Sequence, residues 1–387
     1  MKRLLRCLSF VLACALLAPA ALANEKVDVA AHGKRFTIGA GASTLTVLYL
    51  KGTPYQMGYA QGKLCAKEIR YMAEDVAKVM LMGLGYSPER ALAVFNTDYR
   101  KHLRPDYLDE MRGLADGSGV PLKDIEIGVS IPDISEWNCT FFAAFGSATK
   151  TGDLIQMRAL DYTTDAGIQK YPALVVYDPT NGVPFVNVTW LGQVGVVTGM
   201  NADGIAMSEI GDDWNKATDD FNGRPLNFVM RDSVQFGRNL QEAVNLVKDG
   251  PRTTSLLYCL SSGPERQVRA LKTSHTQCIV FTPSTLPYKT QPHMVYMSMG
   301  CDSPWNAKVG DWLNNAYGQL NVHAAMKLMG TLHTGSLHAV VMKPETGDIW
   351  VANATATQKA YTQPYHHLNL KAALADPFFK AAHIASK

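Results

Sequence analysis

Trp137-Asn138-Cys139-Thr140-Phe141-Phe142 is followed, across the turn Lys150-Thr151-Gly152-Asp153, by Leu154-Ile155-Gln156-Met157-Arg158-Ala159-Leu160-Asp161. Two apolar runs joined by a glycine-containing turn predict a β-hairpin. The hairpin sets Cys139 at the start of one strand and Arg158 and Asp161 at the end of its partner, so all three come to one end. A nearby guanidinium favours the thiolate, which is the nucleophilic form of cysteine. Cys139, Arg158 and Asp161 are therefore the first candidate corner for chemistry.

The texture of the chain changes at this hairpin. Upstream it is mostly helical. Residues 24–44 read as an irregular lead-in and 45–50 as a strand. Thr53-Pro54 then marks a helix start, since proline is tolerated in the first turn. Gly58 and Gly62 share one face of that helix, and Ile69, Met72, Val76 and Val79 continue at helical spacing. Residues 87–102 and 105–118 also read as helices. Downstream, short apolar runs at 173–177, 184–191, 194–200 and 205–210 alternate with turns, among them Asn201-Ala202-Asp203-Gly204. Helices follow at 225–236 and 240–248, strands at 255–260, 277–282 and 294–297, and helices opened by Ser303-Pro304 and Asn321. Strands at 338–343 and 349–352 close the series. Helices and sheets that alternate in blocks predict one α+β body with layered sheets.

The composition suits a large globular core: 387 residues, 47% hydrophobic and 18% charged. Net charge is only +3, without a basic cluster, so nucleic acid is not an expected partner. Met1-Lys2-Arg3, the apolar run 7–17 and Ala21-Leu22-Ala23 have the layout of a signal peptide over residues 1–23, and the expected location is periplasmic or secreted. The residues before Cys14 fit a lipoprotein signal poorly. No later run is long enough to span a membrane. The remaining cysteines are Cys65, Cys139, Cys259, Cys278 and Cys301. An odd count in an exported chain suggests a free Cys139 beside disulfides among the other four, and the alternative is five reduced, buried thiols.

Several chemistries are not signalled. There is no HExxH helix, P-loop, GxGxxG or GxSxG elbow. His333, His338, His366 and His367 are not at metal-ligand spacing, so no metal or organic cofactor is expected. Asp212-Asp213 and Asp219-Asp220 read as solvated loop carboxylates.

Asn138-Cys139-Thr140 followed by Arg158-x-x-Asp161 resembles the cysteine N-terminal-nucleophile hydrolases. That group includes choloylglycine hydrolases, penicillin V acylases, the acid ceramidase group and the acyl-coenzyme A:6-aminopenicillanic acid acyltransferases. Leu50-Lys51-Gly52-Thr53-Pro54-Tyr55-Gln56-Met57-Gly58-Tyr59 looks like the opening motif of the acyltransferase branch. Gly199-Met200-Asn201-Ala202-Asp203-Gly204-Ile205 resembles the group's hairpin. Gly223-Arg224-Pro225, Leu240-Gln241-Glu242-Ala243-Val244, Leu337-His338-Ala339-Val340-Val341 and Trp350-Val351-Ala352 extend the likeness to about residue 370.

The resemblance implies a four-layer αββα sandwich, made as a precursor that cuts its own Asn138–Cys139 bond. Residues 24–138 would form a helical small chain and 139–387 the catalytic large chain of one folded body. Cys139 would carry both thiol and α-amine, Arg158 would hold the thiolate, and Asp161 would orient the amine. An N-terminal amine titrates near neutrality and can act as the base. The group's oxyanion donor is an asparagine. In Cys301-Asp302-Ser303-Pro304-Trp305 the matching position is Asp302, which leaves Asn306, Asn201 or a backbone N–H as other candidates. The expected substrate is a small-molecule linear amide: an N-acyl amino acid, a peptide or a β-lactam side chain. Hydrolysis is expected over acyl transfer. Two alternatives stay open: a non-catalytic binding protein on the same fold, and an uncleaved cysteine peptidase using a histidine such as His338 as base.

Overall fold

A computed structural model describes residues 27–135, 138–212, 216–300 and 303–380. The expected signal peptide, Asp213, Cys301 and Asp302 lie outside the described residues, as does the side chain of Asn138.

Fifteen strands among the described residues form two sheets: β1 Gly33–Ile38, β2 Leu45–Gly52, β3 Asn138–Ala144, β4 Ile155–Asp161, β5 Pro172–Pro179, β6 Phe185–Trp190, β7 Thr198–Asn201, β8 Ile205–Gly211, β9 Leu256–Ser262, β10 Gln267–Thr273, β11 Cys278–Phe281, β12 Met294–Ser298, β13 His338–Lys343, β14 Asp348–Asn353 and β15 His366–Asn369. The nine-stranded sheet runs β1-β2-β5-β6-β7-β8-β9-β10-β11, and the six-stranded sheet runs β12-β3-β4-β13-β14-β15. The lead-in expected to be irregular contributes β1, an edge strand paired antiparallel with β2. β2 in turn pairs in parallel with β5. The segment before Cys139 therefore shares a sheet with the segment after it.

Alternation of side chains along each strand dictates the layers. Val47, Tyr49, Leu174 and Val176 of the larger sheet pack against Val340, Met342, Ile349 and Val351 of the smaller. The intervening residues of the larger sheet, such as Leu48, Val175 and Tyr177, face helices. The helices over the larger sheet include α2 Pro54–Leu64, α3 Ala66–Arg70, α6 Pro105–Ser118, α8 Leu226–Phe236 and α9 Leu240–Lys248; α1 Val29–His32 packs beside α2, and α4 Ala77–Gly83 and α5 Pro88–Val94 pack on α7 Leu122–Ser135. α10 Pro304–Asn315 and α11 Val322–Leu332 cover the smaller sheet through Val309, Leu313, Leu328 and Met329. The architecture is the four-layer αββα sandwich.

Local signals account for the first helix. Thr53 caps α2 in a reciprocal capping box with Gln56, with Pro54 in the first turn. Gly58 and Gly62 press against α6, whose Gly113 and Gly117 return the contact. A Cβ on Gly58 would lie 2.1 Å from Glu110 O, and one on Gly113 would lie 2.1 Å from Tyr55 O. The helix expected through Val79 breaks into α3, a π-helical segment Tyr71–Val76, and α4.

The expected disulfides do not form among the described cysteines. Cys65, Cys139, Cys259 and Cys278 are free thiols. Cys259 sits on β9 and Cys278 on β11, with β10 between them. Two strand spacings of about 4.8 Å exceed the ~7 Å Cα reach of a disulfide. Asp212 and Asp219 also depart from expectation. Asp212 is buried and lies 3.6 Å from Lys272, and Asp219 accepts from the backbone and hydroxyl of Ser255.

Candidate active site

The hairpin forms in the expected register, with Asn138 opposite Asp161 and Cys139 opposite Leu160. Cys139 and Arg158 both point toward the larger sheet. Arg158 and Asp161 are three residues apart, so a strand's period of two sends them to opposite faces. The structure thus brings Cys139 and Arg158 together and puts Asp161 on the other side of the same hairpin.

Arg158 is fully buried, and all five of its N–H groups have acceptors. Nε donates to Glu209 O at 2.9 Å, and Nη2 donates to Glu209 Oε1 at 2.5 Å. Nη1 donates to Val197 O at 3.0 Å and to Thr198 Oγ1 at 2.8 Å. The remaining Nη2 hydrogen is directed at Cys139 Sγ, 3.5 Å away. The gap that holds the guanidinium comes from the larger sheet. β7 and β8 pair only at Gly199↔Met207 and Met200↔Ala206. Beyond those pairs Val197, Thr198 and Glu209 bond to Arg158 rather than across the ladder. The Arg158–Glu209 ion pair is buried on both sides.

His338 completes this face. Its Nε2 lies 3.1 Å from Thr198 Oγ1 and 3.3 Å from Arg158 Nη1, and its ring stacks on Trp190. Burial and the adjoining guanidinium hold its pKa well below the usual histidine value, so the imidazole is neutral. It sits on β13, beyond β4 from Cys139, and its Nε2 faces Arg158 and Thr198. This geometry does not fit His338 as a base for Cys139 in the uncleaved-peptidase alternative.

Burial pushes the Cys139 thiol pKa up, against the pull of Arg158, and the carboxylates of Glu209 and Asp161 add to the rise. Burial likewise raises the Glu209 carboxyl, opposed by Arg158. Cys139 is therefore a protonated, buried thiol beside a cation paired with Glu209.

Asp161 occupies the outer face, where it accepts from Thr334 Oγ1 at 2.6 Å and from Ser336 N–H at 2.7 Å. Thr334 also reaches Thr140 Oγ1 at 3.1 Å, and Thr140 reaches Ser298 Oγ at 2.7 Å. A cavity of about 300 Å³ opens here, walled by Thr140, Asp161, Met299, Trp305 and His333. A second, apolar cavity of about 60 Å³ lies beneath α4 and α7. It reaches Trp190 and Val197, the partners of His338 and Arg158, and is lined by Val76, Met80 and Ile131.

Asn201 is not a free donor. Its amide Nδ2 donates to Val234 O and Gly237 O, and its Oδ1 accepts from Ile205 N–H. Both amide hydrogens hold β7 to the end of α8, which excludes the oxyanion role for this residue. Asn306 is buried in the first turn of α10, with its backbone N–H bonded to the Ser303 cap. Glu209, Thr198, Thr334 and Ser336 were not singled out from the sequence. Glu209 had a signal: a carboxylate in the apolar run Ile205-Ala206-Met207-Ser208-Glu209-Ile210 needs a buried partner.

No family model matches the chain. It is similar to protein dcd1A of Dictyostelium discoideum, at 24% identity over 92% of this chain and 88% of that protein. Protein dcd1B of the same organism is 23% identical over 90% of this chain and 75% of its own length. Among solved structures, the Caenorhabditis elegans ortholog of N-acylethanolamine-hydrolyzing acid amidase aligns with a TM-score of 0.46 and 15% identity, covering 59% of this chain and all of its own. Penicillin V acylase from Agrobacterium tumefaciens aligns at 0.40 and 10% identity, over 60% of this chain and 86% of its own.

Proposed function

We propose that the protein is an exported N-terminal-cysteine amidohydrolase, matured by cutting its own Asn138–Cys139 bond. The observation that carries this reading is the saturated Arg158, which has four donors fixed by the larger sheet and the fifth aimed at Cys139 Sγ.

In maturation the Cys139 sulfur attacks the Asn138 carbonyl, and the acyl group moves from nitrogen to sulfur. Water then hydrolyses the thioester, leaving the Asn138 carboxylate, a free thiol and the α-amine of Cys139. In turnover the amine takes the thiol proton and sulfur attacks the substrate carbonyl. The C–N bond breaks as the leaving amine takes that proton. Water releases the acid and restores the thiol. Glu209 fixes Arg158, Arg158 faces the sulfur, and Asp161 approaches the amine from the outer face of the hairpin. The raised thiol pKa of the uncut chain fits a quiescent precursor. The apolar cavity ending at Val197 and Trp190 suits the acyl part of an N-acyl amide.

Intact-mass measurement of the exported protein tests the reading. One fragment should end at Asn138 and the other begin at Cys139, and the cut protein should hydrolyse N-acyl amides. An active but uncut chain would overturn the mechanism. An uncut, inactive chain whose Cys139 stays unlabelled by a thiol-reactive acyl analogue would favour a binding protein.

A further inference from the structure

Glycines inside α2, α6 and α7 have two different surroundings. Gly58, Gly62, Gly113 and Gly117 each stand where another backbone passes. An added Cβ would meet Glu110 O at 2.1 Å, Ser118 N at 2.6 Å, Tyr55 O at 2.1 Å and Tyr59 O at 2.3 Å respectively. Packing of α2 on α6 accounts for all four.

Gly128 has no such reason. It lies in the interior of α7, and a Cβ built on it would meet no atom within 4 Å apart from its chain neighbours and its own helix backbone. Its φ is not positive, so backbone conformation does not require glycine either. Glycine in a helix interior weakens the helix relative to alanine, and nothing in the packing offsets that loss. What its bare Cα faces is the apolar cavity beneath α7.

The cavity has an inner end and an exposed end. Val197 and Trp190 line the inner end, beside Arg158 and His338. Met72, Asp124, Gly128 and Gln193 are partly exposed and form its mouth, with the only polar side chains of the lining at that rim. The interior wall is apolar, and the π-helical segment Tyr71–Val76 turns Met72, Ala73 and Val76 onto it. About 60 Å³ holds only a few carbon atoms. A longer acyl chain seated with its carbonyl end toward Arg158 must pass the mouth at Gly128.

We propose that Gly128 is a specificity-determining residue: by carrying no side chain it keeps the mouth of this cavity open for the distal methylenes of an unbranched acyl group. The inference rests on the amide-hydrolase reading and adds chain length as the property selected.

The test uses the processed full-length protein with acetyl and palmitoyl amides of one amine. Each methylene denied burial costs about fourfold in kcat/KM. Gly128→Leu should therefore lower kcat/KM for the palmitoyl amide by about a hundredfold and leave the acetyl amide within about threefold. Gly128→Ala should raise Tm while shifting the chain-length preference less. An equal loss on both amides in folded Gly128→Leu, or an unchanged preference, overturns the proposal. A fluorescent long-chain fatty acid, titrated against Cys139→Ala with and without Gly128→Leu, reads the cavity without turnover. Binding lost only with leucine supports the role of Gly128 even where no amide is cleaved and the hydrolase reading has failed. Equal binding overturns it. Should Gly128→Leu not fold, Gly128→Ser in the same two assays decides.

Discussion

The two faces of the β3–β4 hairpin treat neighbouring residues in opposite ways. On the inner face Cys139, Arg158, Glu209 and His338 are packed without solvent, and each Arg158 hydrogen is assigned. On the outer face Thr140 and Asp161 border a cavity of about 300 Å³ whose wall includes the exposed Trp305. A thiol on the inner face is held protonated and out of reach. A chain start at Cys139 would lie between the faces, because the backbone nitrogen sits in the sheet plane. The difference suggests a division of labour in which the inner face holds sulfur and the outer face holds the amine.

The strongest attempt to break that division removes the sulfur. Cys139→Ala should abolish both the cut and amide hydrolysis, and Cys139→Ser should block or slow the cut. Normal processing in either, seen by intact mass, would contradict the assignment. In the uncut chain iodoacetamide should leave Cys139 unmodified at neutral pH, since burial raises its pKa. The processed protein should be alkylated faster by at least an order of magnitude.

Next in size is the inner ion pair. Glu209→Gln leaves Arg158 charged and buried, a change that typically costs about 3–5 kcal/mol. Chemical denaturation should show that loss, and activity should fall by about a hundredfold as the guanidinium shifts from the sulfur. A double change, Arg158→Met with Glu209→Leu, separates stability from chemistry. Apolar replacement of a buried pair is often neutral, so this variant should recover most of the stability and none of the activity. Recovery of activity would show that Arg158 has no part in the reaction.

The outer face should respond more weakly and through pH. Asp161→Asn keeps an oxygen for the Ser336 N–H and turns its amide Nδ2 toward Thr334 Oγ1, whose hydroxyl can accept, but removes the negative charge near the amine. A carboxylate favours the ammonium form, so its loss lowers the amine pKa. The acid limb of the kcat/KM profile, where a neutral amine is required, should move to lower pH, with about tenfold less activity at the optimum. A profile lowered in height but unmoved in pH would mean that Asp161 acts only through Thr334 and Ser336.

Much of this arrangement could be read before any coordinates. The hairpin register, the capped start of α2 and its glycine face follow from local rules that the sequence states directly. Missed elements fail those rules for physical reasons. β1 and β10 carry Lys34, Arg35, Arg269 and Lys272 in their alternation, so charge masks the strand pattern. β15 is only four residues long. Glu209 was hidden because its partner is 51 residues away on another sheet, and no spacing rule links them. The opposite orientation of Arg158 and Asp161 was legible, because an odd separation along a strand decides the face. Pairing of cysteines was not legible, since it depends on which strand lies between β9 and β11.

The last expected effect lies at the edge of the inner network and touches stability alone. Asp133, on α7, is fully buried. Its Oδ1 accepts from Leu226 N–H and from the Thr253 hydroxyl, and Oδ2 has no partner. Burial raises its pKa to about 7, opposed by those hydrogen bonds, and the charge of Glu209 adds to the rise. An unfolded aspartate titrates near 3.9. The folded state therefore favours the protonated acid. Its stabilising contribution is complete below about pH 4 and is lost as pH rises through about 7. Asp133→Asn mimics the neutral acid at every pH. It should lie roughly 2 kcal/mol below the parent protein near pH 4, because the new amide also needs a partner, and exceed it at pH 8 by roughly 2 kcal/mol, which is what that cost leaves of the full linkage value. Repeating the comparison in a Glu209→Gln background should shrink the pH 8 difference, since one of the charges that raises Asp133 is gone. An unchanged difference would separate Asp133 electrostatically from the Arg158 centre and confine the inner network to Cys139, Arg158, Glu209, Thr198 and His338.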